Sequence, residues 1–221
     1  MKSLFPFLLI TFGLVLSGCD NSNRIVDVDD LLMHNNDGIW RYEGEPFTGI
    51  AQSYFTNGNL ESETHFKNGK QDGSFTTYYS NGQLESKIIY SNNLEQDTSW
   101  SYHENGQLRS LITWEKGAQN GPFLEYYKNG QLNIKGNMVN GHENGLWEFY
   151  YPSGILEAFE IYEDGFLNDS SFAYFTDGSL QVKGYYLNDL KHGTFEYYDS
   201  LNGEIIGIQV FRNDSLIETI N

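Results

Sequence analysis

The sequence repeats itself every 24 residues, and this period limits the possible fold more than any other feature. Glycines of Asn-Gly-type turns recur at a spacing of 24 residues five times and then at 25. A second marker, Gly or Asp, recurs every 24 residues from Gly49 to Gly193. Because Gly, Asn and Asp tolerate positive φ, two such markers in each unit predict two tight turns per unit. The turn glycines are Gly58, Gly82, Gly106, Gly130, Gly154, Gly178 and Gly203.

Between the turns lie two runs of about seven residues, which is a normal strand length. In one unit these runs read "GSFTTYY" and "LESKIIY". We therefore predict an all-β fold, an elongated twisted array of about seven 24-residue β-hairpins that form one continuous antiparallel sheet. The domain is predicted to span residues 31–221, with polar residues at its C-terminal end discouraging edge-to-edge pairing. The predicted repeats cover about 49–72, 73–96, 97–120, 121–144, 145–168, 169–192 and 193–217.

The N-terminus has the pattern of an export signal. Lys2 precedes an apolar stretch over residues 4–16, which is too short to span a bilayer comfortably. The following "LSGC" resembles the lipobox of bacterial lipoproteins. The resemblance implies that residues 1–18 are a lipoprotein signal peptide, that Cys19 is lipidated and that the chain is lipid-anchored in the bacterial cell envelope. Residues 19–30 are then a lipidated acidic tether. Asp20 resembles an inner-membrane retention signal, but that signal does not apply in all bacteria, so the anchoring membrane can be the inner or the outer one.

Composition narrows the classes of partner. The formal net charge of −17 makes nucleic acid an improbable ligand, because phosphate binding requires a basic surface. The same acidity argues against docking on anionic lipid headgroups. If charge selects a partner, that partner is basic, although acidity can also serve solubility alone. Cys19 is the only cysteine, so an intramolecular disulfide is impossible.

No catalytic or metal-binding motif stands out. The five histidines form no closely spaced pair, and His103 occupies the position that Tyr79 and Tyr127 hold in other units. We expect His103 to replace an aromatic ring there. The segment "DDLLMHNNDG" lacks the spaced acids of a calcium loop. The sequence thus predicts a protein that is not an enzyme and has no metal and no cofactor.

One tyrosine stands five residues after each second marker, and this row is the candidate binding surface. Stacked aromatic faces could bind a glycan or a peptide. The alternative is that the tyrosines are the structural ladder of the repeat, pairing across strands. The candidate surface residues are Tyr54, Tyr78, Tyr102, Tyr126, Tyr150, Tyr174 and Tyr198, together with Trp100, Trp114 and Trp147.

The Gly and Asn turn markers, the tyrosine row and the aromatic residue that closes each unit resemble the bacterial variant of the MORN repeat, in seven consecutive copies. The segment "EPFTGIAQSYFTNGNLESETHFKNG" also resembles a MORN-variant family labelled as antitoxins. The resemblance implies a non-enzymatic interaction scaffold with an aromatic-rich groove, and we expect an unidentified, basic protein partner. The alternatives are an antitoxin or immunity protein that neutralises a basic toxin, or a module that binds envelope glycan.

Overall fold

The structure is a computed structural model that describes residues 24–33 and 37–220. These residues form strands, turns and one 3-10 turn, with no α-helix among them, which confirms the all-β prediction. The N-terminal segment contains β1 (Ile25–Asp27), the 3-10 turn (Val28–Asp30), β2 (Leu32–Met33), β3 (Trp40–Tyr42) and β4 (Glu45–Pro46).

Seven hairpins follow. The first four consist of β5 (Gly49–Tyr54) and β6 (Leu60–Lys67), β7 (Lys70–Tyr78) and β8 (Leu84–Ser91), β9 (Leu94–Tyr102) and β10 (Leu108–Glu115), and β11 (Ala118–Tyr126) and β12 (Leu132–Val139). The last three begin with a two-residue strand: β13 (His142–Glu143), β14 (Gly145–Tyr150) and β15 (Leu156–Glu163); β16 (Phe166–Leu167), β17 (Asp169–Tyr174) and β18 (Leu180–Leu187); β19 (Leu190–Lys191), β20 (Gly193–Tyr198) and β21 (Ile205–Arg212). The final strand is β22 (Ser215–Ile220).

Neighbouring hairpins share one sheet because strands that follow one another in the chain also pair. Gly49 faces Phe66 within the first hairpin, and Thr64 of that hairpin faces Phe75 of the second. Antiparallel pairing continues in this way to β22, which pairs with β21. The predicted continuous sheet of sequential hairpins is thus confirmed.

The tight turn of each hairpin has the chemistry that its sequence indicates. In the second unit, the Tyr79 amide donates to the Gln83 carbonyl oxygen at 2.8 Å, and the Gly82 amide donates to the Tyr79 carbonyl oxygen at 2.7 Å. Gly82 has a φ of 87°, where a side chain would be strained. The Asn81 Oδ1 atom accepts from the Gln83 amide at 2.9 Å, so the turn is held from both sides.

The residues before the first hairpin fold onto it. The sequence suggested that residues 24–30 end a polar tether, but β1 pairs in parallel with β5, with Val26 opposite Ala51. Val26 is buried in one cluster with Leu31, Phe47, Ala51 and Phe66. Burial of Val26 and Leu31 explains the difference, because both side chains gain more from this apolar cluster than from a solvated tether. The edge of β5 is therefore covered.

Candidate interaction surface

Each strand presents alternate side chains to two opposite faces of the sheet. We call the side that bears the seven-tyrosine row the tyrosine face. We call the other side the ring face, because it holds most of the packed rings. The ring face contains the third residue of each unit and the aromatic or methionine residue that closes it. The third residues are Ala51, Phe75, Ser99, Phe123, Trp147, Ser171 and Phe195.

The seven tyrosines of the row occupy equivalent register positions, each opposite the first residue of the following strand. Tyr54 is 53% exposed, and the other six tyrosines of the row are half-buried. Two of the hydroxyls bond to side chains two residues earlier: Tyr54 donates to Gln52 Oε1 at 2.6 Å, and Tyr198 donates to Glu196 Oε2 at 2.5 Å. The pKa of Tyr198 is raised, mainly by the hydrogen bond to Glu196 and to a smaller extent by burial.

The three tryptophans do not join the tyrosines as one surface. Trp100 lies on the tyrosine face, whereas Trp114 and Trp147 lie on the ring face. Trp147 is only 5% exposed, and a Cβ atom added to Gly136 would lie 2.2 Å from its ring. Its Nε1 atom is buried and has no hydrogen-bond partner in the described part of the chain. Trp147 is therefore placed for packing rather than for contact with a ligand, as is Trp114, whose Nε1 donates to Ser99 Oγ at 2.8 Å.

A second aromatic row, one residue after the tyrosine row, joins neighbouring hairpins. The hydroxyls of Tyr79, Tyr127 and Tyr151 donate to backbone carbonyl oxygens of the next unit at 2.7, 2.7 and 2.8 Å. In the third unit, His103 Nε2 lies 2.8 Å from the Tyr126 carbonyl oxygen and must donate, because a carbonyl oxygen only accepts. The prediction that His103 replaces an aromatic ring is confirmed. Its donor role is visible only in the structure.

The two edges of the sheet differ. The N-terminal edge, at β5, is covered by β1. At the C-terminal edge, β22 pairs only with β21 among the described residues, and all six of its residues are exposed. Leu216, Ile217 and Ile220 have exposed fractions of 53%, 58% and 47%. The sequence predicted an end protected by polar residues. Asn213 and Asp214 lie in the turn before β22. Within the strand, Ser215, Glu218 and Thr219 are polar and Leu216, Ile217 and Ile220 are apolar, so polar residues make up half of the exposed edge strand.

The described residues contain no group of three or more His, Cys, Asp or Glu side chains that could hold a metal ion. Within residues 24–33 and 37–220, no helix has the length and apolarity that a membrane crossing requires. Cys19 and the predicted signal peptide lie outside the described residues.

Comparison with known families identifies the repeat. The family described as MORN repeat variant matches residues 47–68, 71–92, 101–116, 119–140 and 143–165. The chain belongs to the MORN-variant repeat family. The last two hairpins lie beyond the matched segments but have the same MORN geometry, since Asp169 faces Tyr186 and Gly193 faces Phe211 as Gly145 faces Tyr162. A search of curated proteins found no match. MORN repeats typically form a non-catalytic scaffold.

Proposed function

We propose that this protein is a non-enzymatic, membrane-anchored repeat scaffold that binds another protein in the bacterial cell envelope. The open C-terminal edge of the MORN array is the observation that supports this best. A strand with unpaired backbone groups on one side is a template for an added strand. Exposed Leu216, Ile217 and Ile220 supply apolar area beside those backbone groups.

Charge supports the kind of partner. The chain has a net charge of −17, and Glu218 lies within the open edge strand. Electrostatic complementarity then favours a partner with a basic extended segment, whose association would be faster at low salt than at high salt. The anchor rests on the lipobox resemblance at Cys19, and acyl chains there would keep the scaffold at the membrane surface.

Crosslinking in native membranes, followed by capture of a C-terminally tagged chain and mass spectrometry, tests the proposal. We expect Ile217→Lys to reduce capture of the partner, because it replaces an apolar side chain of the edge strand with a positive charge that repels a basic segment. Leu201→Lys is the matched control, since Leu201 is 94% exposed but lies in the turn between β20 and β21. The Cys19→Ala variant tests whether the anchor determines what is captured.

Three outcomes would distinguish the alternatives. One dominant basic protein, captured in near-equal amount and lost in Ile217→Lys, supports the proposal and favours an antitoxin or immunity role within it. Equal loss of capture in both variants contradicts binding at the edge. Recovery of glycan fragments without a protein would replace the proposal with glycan binding.

A further inference from the structure

The ring face has one vacant position in an otherwise filled row. The third residue of a unit is an aromatic ring in four units, Phe75, Phe123, Trp147 and Phe195. Two units have a small residue that another side chain covers, since Ala51 is buried beside Phe66 and Ser99 is bonded to the Trp114 indole. The sixth unit has Ser171, which is half-buried.

The packed rings of the C-terminal half are interrupted at the same place. Phe123, Trp147 and Tyr162 form one run, with ring centroids 5.4 and 6.2 Å apart. Tyr186, Phe195 and Phe211 form a second run, with both centroid distances at 5.3 Å. Trp147 and Phe195, which hold the third position in their units, each contact the closing ring of their own unit. By the same geometry, a ring above Ser171 would contact Tyr186.

A cavity of about 280 Å³ opens at this interruption. Its floor is made of small or short side chains, Ser171, Ala173, Val182 and Gly184, and Phe195 forms part of its wall. An apolar cavity of about 150 Å³ suffices to bind benzene. The space above Ser171 is therefore large enough for an aromatic side chain.

Two charged residues line the cavity, Lys191 and Glu160, and each contacts an aromatic side chain. The Lys191 ammonium lies 5.1 Å from the centroids of both Phe195 and Phe211. On the other side, Glu160 accepts a hydrogen bond from the Tyr162 hydroxyl at 2.7 Å. The pKa of Tyr162 is raised, mainly by burial and to a smaller extent by this hydrogen bond. One cation and one carboxylate flank a mostly uncharged slot, which matches a neutral ring better than a charged group.

We propose that the cavity above Ser171 is a binding slot for an aromatic side chain of a partner protein. The inserted ring would pack against Tyr186 and Phe195 and would extend the second ring run by one ring. The slot and the open edge lie in the same C-terminal part of the array, because Tyr197 lines both this cavity and a second cavity that includes Thr219 of β22. That a partner protein supplies this ring rests on the proposed function, whereas binding of an aromatic ring in the slot can be tested without the partner.

Methyl NMR of the full chain, titrated with N-acetyl-phenylalaninamide, tests the slot directly. We expect saturable ring-current shifts at the Ala173 and Val182 methyl groups, which line the cavity. The Ser171→Phe variant fills the slot from within and should weaken binding by at least about tenfold. Ser170→Phe is the matched control, because it makes the same change one residue earlier on the opposite face and should leave the titration unchanged.

Other results would overturn the slot. The first is the absence of methyl shifts, and the second is an equal loss of binding in both phenylalanine variants. The third is methyl shifts with N-acetylglucosamine but not with the aromatic probe, which would assign the cavity to glycan. If Ser171→Phe does not fold, Ala173→Leu fills the same cavity and takes its place. Failure of the slot leaves capture at the β22 edge intact, so the two proposals fail separately.

Discussion

At the scale of single residues, hydrogen bonds from one aromatic row set the contact between neighbouring hairpins. The Tyr127 hydroxyl donates to the Tyr150 carbonyl oxygen at 2.7 Å. We expect Tyr127→Phe to lower the free energy of unfolding by about 1 kcal/mol, because the carbonyl loses its partner in a half-buried place. His103→Tyr should keep the native stability, since a tyrosine already serves this position in other units. Chemical denaturation measures both, and a destabilised His103→Tyr variant would contradict the shared role.

A second effect at this scale concerns the glycines beneath the rings. A Cβ atom at Gly184 would lie 2.2 Å from the Phe195 ring. Gly184→Ala should therefore cost about 1–3 kcal/mol through overpacking. Gly207→Ala is the control, because nothing lies within 4 Å of the added Cβ atom there. Thermal unfolding compares the two variants, and equal melting temperatures would mean that the ring does not depend on this glycine.

The sequence predicts residues whose role is local, such as those in turns, but not residues whose role depends on tertiary packing. The turn residues were predictable, because positive φ at Gly82 and its counterparts requires Gly, Asn or Asp. The slot at Ser171 was not, because a serine in a strand is ordinary until the rings beside it are placed. Trp114 and Trp147 were proposed as surface residues, and only the strand registers show that they lie opposite the tyrosine row.

At the scale of elements, two hydrogen bonds, one between backbone groups and one to a side chain, clamp the connection between one hairpin and the next. The Asp189 amide donates to the Leu167 carbonyl oxygen at 2.9 Å, and Asp189 Oδ1 accepts from the Leu167 amide at 2.7 Å. Asn93 and Asp214 make the same pair of bonds in their units. Where a glycine occupies this position, as Gly141 does, the backbone bond remains and the side-chain bond is absent.

This clamp gives a prediction for Asp189. Asp189→Ala loses the side-chain acceptor and places an alanine at a φ of 66°, so we expect a cost of about 1–2 kcal/mol. Asp189→Asn should be nearly neutral, because its amide oxygen still accepts. Hydrogen exchange of the Leu167 amide reports the bond itself. Unchanged exchange in Asp189→Ala would show that the bond does not hold the hairpins together.

The pairing of β1 with β5 shows which element the sequence could not predict. Residues 25–27 form a three-residue strand inside a polar segment, and nothing local to them indicates a partner 25 residues further along. The parallel pairing depends on burial of Val26 under Phe47 and Phe66, which is a tertiary effect. The long hairpins were predictable because their pattern recurs seven times.

At the scale of the whole molecule, tyrosine burial makes stability sensitive to alkaline pH. Burial raises the pKa of Tyr127, Tyr151 and Tyr186 above the ordinary value of 10.0. A raised pKa means that the folded state binds the phenolic proton more tightly than the unfolded state. The stabilisation is then complete below pH 10 and is lost as pH rises through the folded-state values. Denaturation at several pH values should show constant stability up to about pH 10 and a decline above it. A rise in stability above pH 10 would contradict this assignment.

Within residues 24–33 and 37–220, the array has one covered edge and one open edge, and the proposed protein-binding role depends on that difference. Hydrogen exchange of the full chain, alone and with the captured protein, tests it most directly. We predict that the amides of β22 that are not bonded to β21 exchange fast in the free chain and become protected in the complex. Unchanged exchange in β22, with protection appearing along the tyrosine face instead, would contradict it.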